Sequence, residues 1–224
     1  MRNQPQQTTR LGGFFITGTD TEIGKTHIAC CIAQGLIQQG IQVSPRKPIA
    51  SGCVRQSNGS LLADDAVRLQ RASLSSDPLD TICRYRFEPA ISPARASQQM
   101  CPTLDLAQLC QACQIEDGQF ALIEGAGGFL SPLSHDALNA DLAKALGYPL
   151  ILVVGNRLGC LNHALLTIEA IESRGLNLHT LVVNDLSHDS DLDNLHDLCR
   201  LSGYPIAYQP FNPQGHFSPL VLTP

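Results

Sequence analysis

The strongest constraint on what this chain can fold into is a repeated unit. A short, wholly apolar run ends in a small or polar residue and is followed by a stretch with helical spacing. Phe14, Phe15 and Ile16 lead to Gly18; after Lys25 come Ile28, Ala29, Ile32, Ala33, Leu36 and Ile37, and Gly40 stops the pattern. The unit returns with apolar runs at residues 120–123, 150–154 and 181–183, and helical stretches at 140–146, 161–171 and 192–201. A run without polar alternation has no face to offer water, so each predicts a strand buried on both sides. Such strands alternating with helices predict a mostly parallel sheet with right-handed crossovers, sandwiched between two helical layers: a three-layer α/β fold.

Residues 57–102 are less regular. Asn58-Gly59, Asp77-Pro78, Glu88-Pro89 and Ser92-Pro93 are turn signals, with one short helix expected at 63–72. This segment reads as an excursion on the substrate side of a single domain spanning residues 13–224. Pro210, Pro213, Pro219 and Pro224 predict an irregular C-terminal arm. Residues 1–12, rich in Gln and Thr without the apolar centre of a secretory signal, read as a disordered tail on a cytoplasmic protein.

Charge narrows the function. Charged residues are 16% of the chain, against roughly 25% in an average domain, and the net charge is −5. Nucleic-acid and anionic-membrane binders need clustered Lys and Arg, so both classes are excluded as partners. No apolar run approaches the roughly 18 residues that span a bilayer. Of 15 basic residues only three are lysines, Lys25, Lys47 and Lys144. The nine cysteines, an odd number without a framework, read as reduced thiols. Cys110 and Cys113 have CxxC spacing but no second ligand pair, so they read as a helix face and not a zinc site.

The most specific motif is GTDTEIGKT, residues 18–26, between the first strand and the first helix. A loop entering a helix aims unpaired N–H groups at one point, where the helix dipole also favours an anion. Gly24 lets the backbone approach phosphates, the Lys25 ammonium reaches the β- and γ-oxygens, and the Thr26 hydroxyl is placed to ligate magnesium. Five residues separate the glycines where four are usual, so the loop is a variant of a P-loop NTPase-like motif. Glu124, ending the run at 120–123, supplies the carboxylate that such a metal requires; its alternative reading is a helix cap. The glycines after it mark a place where backbone approaches a ligand closely.

Lys47 opens KPIASG at residues 47–52. Together with GTDTEIGKT, the acidic pair Asp64-Asp65, EGAGGFLSPL at 124–133 and ILVVGNRLGCLNHALLT at 151–167, in this order, the chain resembles the dethiobiotin synthetase family. The match is loose beyond Asp185. The resemblance implies an ATP-dependent ligase of biotin biosynthesis. One amine of 7,8-diaminononanoate traps carbon dioxide as a carbamate, ATP phosphorylates it, and the second amine closes a cyclic urea, giving dethiobiotin, ADP and phosphate. Two anions must meet, which calls for Lys25, Lys47 and magnesium to offset their repulsion.

The resemblance also implies roles. Lys47 and Lys25 are the catalytic cations, with Thr21 on the reacting side of the loop, and Thr26, Asp65 and Glu124 form the magnesium set. ATP is held by Glu22, Ile23, Gly24, Lys25, Thr26 and His27, by Asp65, and by Glu124, Gly125, Ala126 and Gly127. Asn184 and Asp185 read adenine, with Gln209, Pro210 and Phe211 as further nucleotide contacts; as a bare residue, Asn184 also reads as a strand-end turn. Ser51, Glu22 and Gly128 contact substrate, as do Leu161 and Asn162, in a segment that reaches across a homodimer. Relatives commonly carry Ser-Pro-His where this chain has Ser92-Pro93-Ala94, which leaves Arg95 as the neighbouring polar group. The alternative is a partitioning-type ATP switch, but its KGGxGKT loop would need Lys and two Gly at Asp20, Thr21 and Glu22.

Overall fold

The computed structural model describes residues 12–212 and 217–222. All of the expected tail except Gly12 lies outside them, as do Pro213 and Pro224. The first strand β1 (Gly13–Gly18) leads through the loop to α1 (Lys25–Gln38) and then β2 (Val43–Arg46). The excursion follows as β3 (Ile49–Ala50), β4 (Val54–Arg55), β5 (Leu61–Leu62), α2 (Asp64–Ala72), α3 (Leu79–Ile82), β6 (Tyr85–Arg86), α4 (Pro93–Met100) and α5 (Leu106–Ala112). The chain closes with β7 (Phe120–Glu124), α6 (Asn139–Leu146), β8 (Leu150–Asn156), α7 (Cys160–Glu172), β9 (Leu178–Asp185), α8 (Asp193–Ser202) and β10 (Ile206–Gln209).

Six strands form one sheet in the order β10-β9-β8-β1-β7-β2, every neighbouring pair parallel. The four apolar runs are its four inner strands. Their side chains alternate between two cores, as a two-residue period requires. Phe14, Ile16, Leu122, Ile151, Val153 and Val182 meet Ile28, Ile32 and Leu36 of α1 on one face. Phe15, Ala121, Ile123, Leu150, Leu152, Val154, Leu181 and Val183 meet α5 to α8 on the other. β2 sits at an edge, where the missing N–H of Pro45 costs no ladder bond.

Three features differ from the sequence reading. Ser92-Pro93, read as a turn, starts α4 with Pro93 in the first turn, a position where its missing N–H and fixed φ are tolerated. The short helix α3 also lies in the excursion. β10 adds a half-buried strand before the prolines, too weakly patterned to announce itself. Described residues beyond Gln209 carry no helix or strand. All nine cysteines are free, and burial pushes the Cys113 thiol upward, against thiolate chemistry. Among the described residues no helix is long and apolar enough to cross a membrane.

The C-terminal segment is sewn onto α1. Leu220 N–H donates to the Cys31 carbonyl at 2.9 Å, and Leu222 is buried in the α1 core. A Cβ at Gly35 would stand 2.3 Å from the Leu220 carbonyl oxygen. On helix propensity alone Gly35→Ala would stabilise by about 1 kcal/mol. The contact reverses that sign: the variant is expected to melt at least ~2 °C lower and to expose the C-terminal segment to protease, whereas a higher midpoint would show that the segment does not bear on Gly35.

Candidate functional site

The register of β1, β7 and β2 sets the site. Arg46, last in β2, pairs with Ile123, so Lys47 and Glu124 leave the sheet side by side. Ile16 of β1 pairs with Glu124 itself, which brings the loop after Gly18 to the same C-terminal edge. That edge is where ligands bind in sheets of this kind. Gly24 caps α1 with φ 88°, a left-handed conformation open to glycine, and the N–H groups before Ile28 have no acceptor within the helix. Glu22 also holds a left-handed φ of 56° and is exposed.

Lys47 Nζ lies 2.6 Å from Glu124 Oε1 and 3.0 Å from Asp65 Oδ2, the latter carried by the first turn of α2. Lys47 and Glu124 are buried, whereas the Asp65 side chain is 39% exposed. Burial opposes the charge on Lys47, yet the two carboxylates hold its amine above the ordinary range, so the ammonium stays protonated. Burial raises the Glu124 carboxyl, with Lys47 opposing. Burial also works upward on Asp65, but Lys47 outweighs it and holds that carboxyl low.

Thr26 Oγ1 lies 2.8 Å from both Asp65 Oδ1 and Glu124 Oε1. One hydroxyl has one proton to donate, so the two carboxylates receive fewer protons than they can accept. Glu124 Oε2 is buried with no hydrogen-bond partner among the described residues. An orphaned carboxylate oxygen beside a hydroxyl and a second carboxylate is the donor set a hard divalent cation takes. Lys25 Nζ donates to the Asp20 carbonyl at 2.7 Å. Burial first, then repulsion by Lys47, lowers its pKa to about 8.

These groups line one cleft of about 450 Å³, shared with the predicted Thr21, Glu22, Gly24, His27, Ser51, Ala126 and Gly127. Gly125 and Gly128 stay outside its lining. A Cβ on Gly125 would meet Asn139 Oδ1 at 2.6 Å, so the packing of Asn139 by itself requires glycine there. Asn139 is fully buried; its amide nitrogen donates to the carbonyls of Ala126 and Gly128, and its Oδ1 accepts from Ala126 N–H. It pins the whole turn. A polar residue beside Leu138 in an apolar stretch was the available signal, and sequence reasoning passed over it. Arg68, one turn beyond Asp65, also lines the cleft and was missed.

The second predicted group sits at the ends of β9 and β10. Asn184 Nδ2 donates to the Ile23 carbonyl at 3.0 Å and would meet a Cβ on Gly24 at 2.3 Å, so its amide packs directly under the loop. Ile23 itself is buried. Asp185 accepts from Asn156 at 2.7 Å and from the Tyr208 hydroxyl, which is pushed up to about 12 by that bond. Gln209 is buried, Pro210 exposed, and the Phe211 ring meets His188 edge-on at 4.7 Å. Leu161 and Asn162 lie in the first turn of α7, outside the lining of this cleft, with Asn162 exposed. Arg95 is exposed and outside the lining, and Lys144 is exposed too.

A family model described as an AAA domain matches residues 12–209. Among solved structures, the MinC:MinD cell division protein complex of Aquifex aeolicus superposes with a TM-score of 0.55 at 15% identity, covering 91% of this chain and 82% of that one. A ParA family ATPase from Chlorobium tepidum TLS gives 0.51 at 16% identity, over 91% and 85%. At such identity the likeness concerns the fold alone. Sequence relatives are much nearer. The ATP-dependent dethiobiotin synthetase BioD of Aeromonas salmonicida (strain A449) is 42% identical over 193 residues, 83% of this chain and 85% of that protein. That of Anaeromyxobacter dehalogenans (strain 2CP-C) is 37% identical over 91% of this chain and 92% of its own length. With the predicted lysines, carboxylates and loop gathered at one sheet edge, and with identity of this level along most of both chains, the protein belongs to the dethiobiotin synthetase family.

Proposed function

We propose that this chain is an ATP-dependent dethiobiotin synthetase, a ligase that makes dethiobiotin from 7,8-diaminononanoate, carbon dioxide and ATP. The observation that carries the reading is the Lys47 ammonium held on Glu124 and Asp65 beside the Lys25 loop. One substrate amine adds to carbon dioxide and loses a proton to give the carbamate. The carbamate oxygen attacks the γ-phosphorus of ATP, ADP leaves, and a mixed anhydride forms. The second amine attacks its carbonyl, phosphate departs with the C–O electrons, and a proton is lost from nitrogen as the urea closes.

Lys25 at the start of α1 faces the transferring phosphoryl group, and Lys47 faces the carbamate, so that two anions meet between two cations. Thr21 and Glu22 line the reacting side, Ser51 offers a hydroxyl to substrate, and Asn184 reads the base from beneath the loop. Thr26, Asp65 and Glu124 would hold a magnesium ion, which supplies charge neutralisation at the phosphates when bound. The orphaned Glu124 oxygen and the surplus of acceptors around Thr26 fit such an ion.

Phosphate release from ATP is expected only when diamine and bicarbonate are both supplied, with dethiobiotin formed one-for-one; ATP hydrolysis without diamine would falsify the reading. In the same assay Lys47→Gln is expected to abolish turnover while ATP affinity stays within a few-fold.

A lysine titrating near 8 is partly neutral at that pH, and bound phosphates restore its charge against Lys47, with Asp20, Asp65 and Glu124 nearby. ATP binding at pH 8 is therefore expected to take up protons, and affinity to fall as pH rises through about 8. Calorimetric titration in buffers of different ionisation enthalpy measures this; proton release would contradict it.

The protein is also proposed to be a cytoplasmic homodimer. Nine free thiols fit a reducing compartment. Leu158, fully exposed, and Leu165 and Leu166 of α7, at 36% and 56% exposure, make an apolar face next to Asn162 that a second copy would cover. Sedimentation is expected to give a dimer mass, and a monomer at micromolar concentration would overturn this.

A further inference from the structure

Arg68 is a cation without an assigned task. It follows Asp65 by three residues on α2, which puts the two on one helix face, and it lines the phosphate cleft. Among the described residues it has no ion-pair partner. Its guanidinium carbon instead lies 5.6 Å from the centre of the Phe217 ring, within cation–π range. The His27 ring, another lining group, is 5.6 Å from the same Phe217. Phe217 belongs to the C-terminal segment that Leu220 and Leu222 fasten to α1.

The charge balance of the cleft gives this placement meaning. Counted over its protein side chains alone, without the magnesium ion proposed above, its walls carry Glu22, Asp65 and Glu124 against Lys25 and Lys47, an excess of negative charge. Arg68 removes that excess. A guanidinium presents a planar fork of donors that matches phosphate oxygens, and an aromatic face can hold the plane without using those donors.

We propose that Arg68 is a third protein cation for the nucleotide's terminal phosphates, and that Phe217 is its positioning residue. The C-terminal segment thus becomes part of the phosphate site. This rests on the nucleotide occupying the cleft as proposed above.

The test is ATP affinity, measured by calorimetry on the full chain for Arg68→Ala, Phe217→Ala, the double variant and Lys25→Ala. Arg68→Ala is expected to weaken ATP about tenfold, and Phe217→Ala several-fold. Adding Phe217→Ala to Arg68→Ala is expected to change nothing further, a coupling that a merely structural Phe217 would not show. If Phe217→Ala does not fold, Phe217→Leu keeps the apolar contact, loses the ring, and is expected to show the same several-fold loss. ATP affinity within twofold in Arg68→Ala, while Lys25→Ala loses binding, overturns the role of Arg68 and leaves the cleft assignment standing. Unchanged affinity in both overturns the cleft assignment itself. Additive losses in the double variant overturn the role of Phe217.

Discussion

The site is organised by one electrostatic requirement: a carboxylate at the buried end of an inner strand must have a cation beside it. Glu124 closes β7 at 1% side-chain exposure, where an uncompensated charge would cost several kcal/mol. Parallel pairing with β2 delivers Lys47 to the spot because Arg46 is in register with Ile123. Removing Lys47 takes the cation from a buried carboxylate, a change on the order of 3–5 kcal/mol in comparable pairs, whereas Lys47 without Glu124 would still have Asp65 at 3.0 Å. The pair is thus a structural necessity of the sheet edge as well as a store of opposite charges in the wall of the cleft.

The second consequence of that pair is felt at Lys25. Burial and then the neighbouring Lys47 ammonium oppose its charge, which brings the loop lysine down to about 8. The loop is held from two sides. Arg157 forms an ion pair with Asp20 above it, and Asn184 packs under Gly24 with a hydrogen bond to Ile23. Asp20 therefore ties the loop to the β8–α7 connection at the position where a partitioning-type switch would carry its extra lysine. Two of the three lysines meet in the cleft, so this lightly charged chain concentrates its lysines at one sheet edge.

The parts of the fold legible in the sequence were those whose residues are constrained on all sides. An inner strand touches helices on both faces, so every side chain in residues 120–123 or 150–154 must be apolar, and the run is visible in one dimension. Edge strand β10 is wet on one side and carries no such run. Ser92-Pro93 was misread because proline suits a turn and a helix start equally well, and only the residues packing beneath Ala96 and Ser97 settle which one forms. In the site, Lys25, Lys47 and Glu124 were readable because each stands beside a glycine or at a strand end, and Asp65, in the first turn of α2, only through the family resemblance. Asn139 left only the weak signal of a polar residue in an apolar stretch, and Arg68 left none, since an arginine on a helix looks like a surface residue until its neighbours are known.

The sequence by itself determined the layered α/β class, the anion-binding loop and the family, because these depend on periodicity and on residues adjacent in the chain. The tertiary structure alone decided that Gly125 makes room for Asn139, that Asn184 braces the loop, and that Arg68 lies over Phe217 at the cleft. Each of those is a contact between residues separated by 13 to 161 positions. No local pattern encodes such distances; they follow from strand order and register, which only the packed sheet fixes.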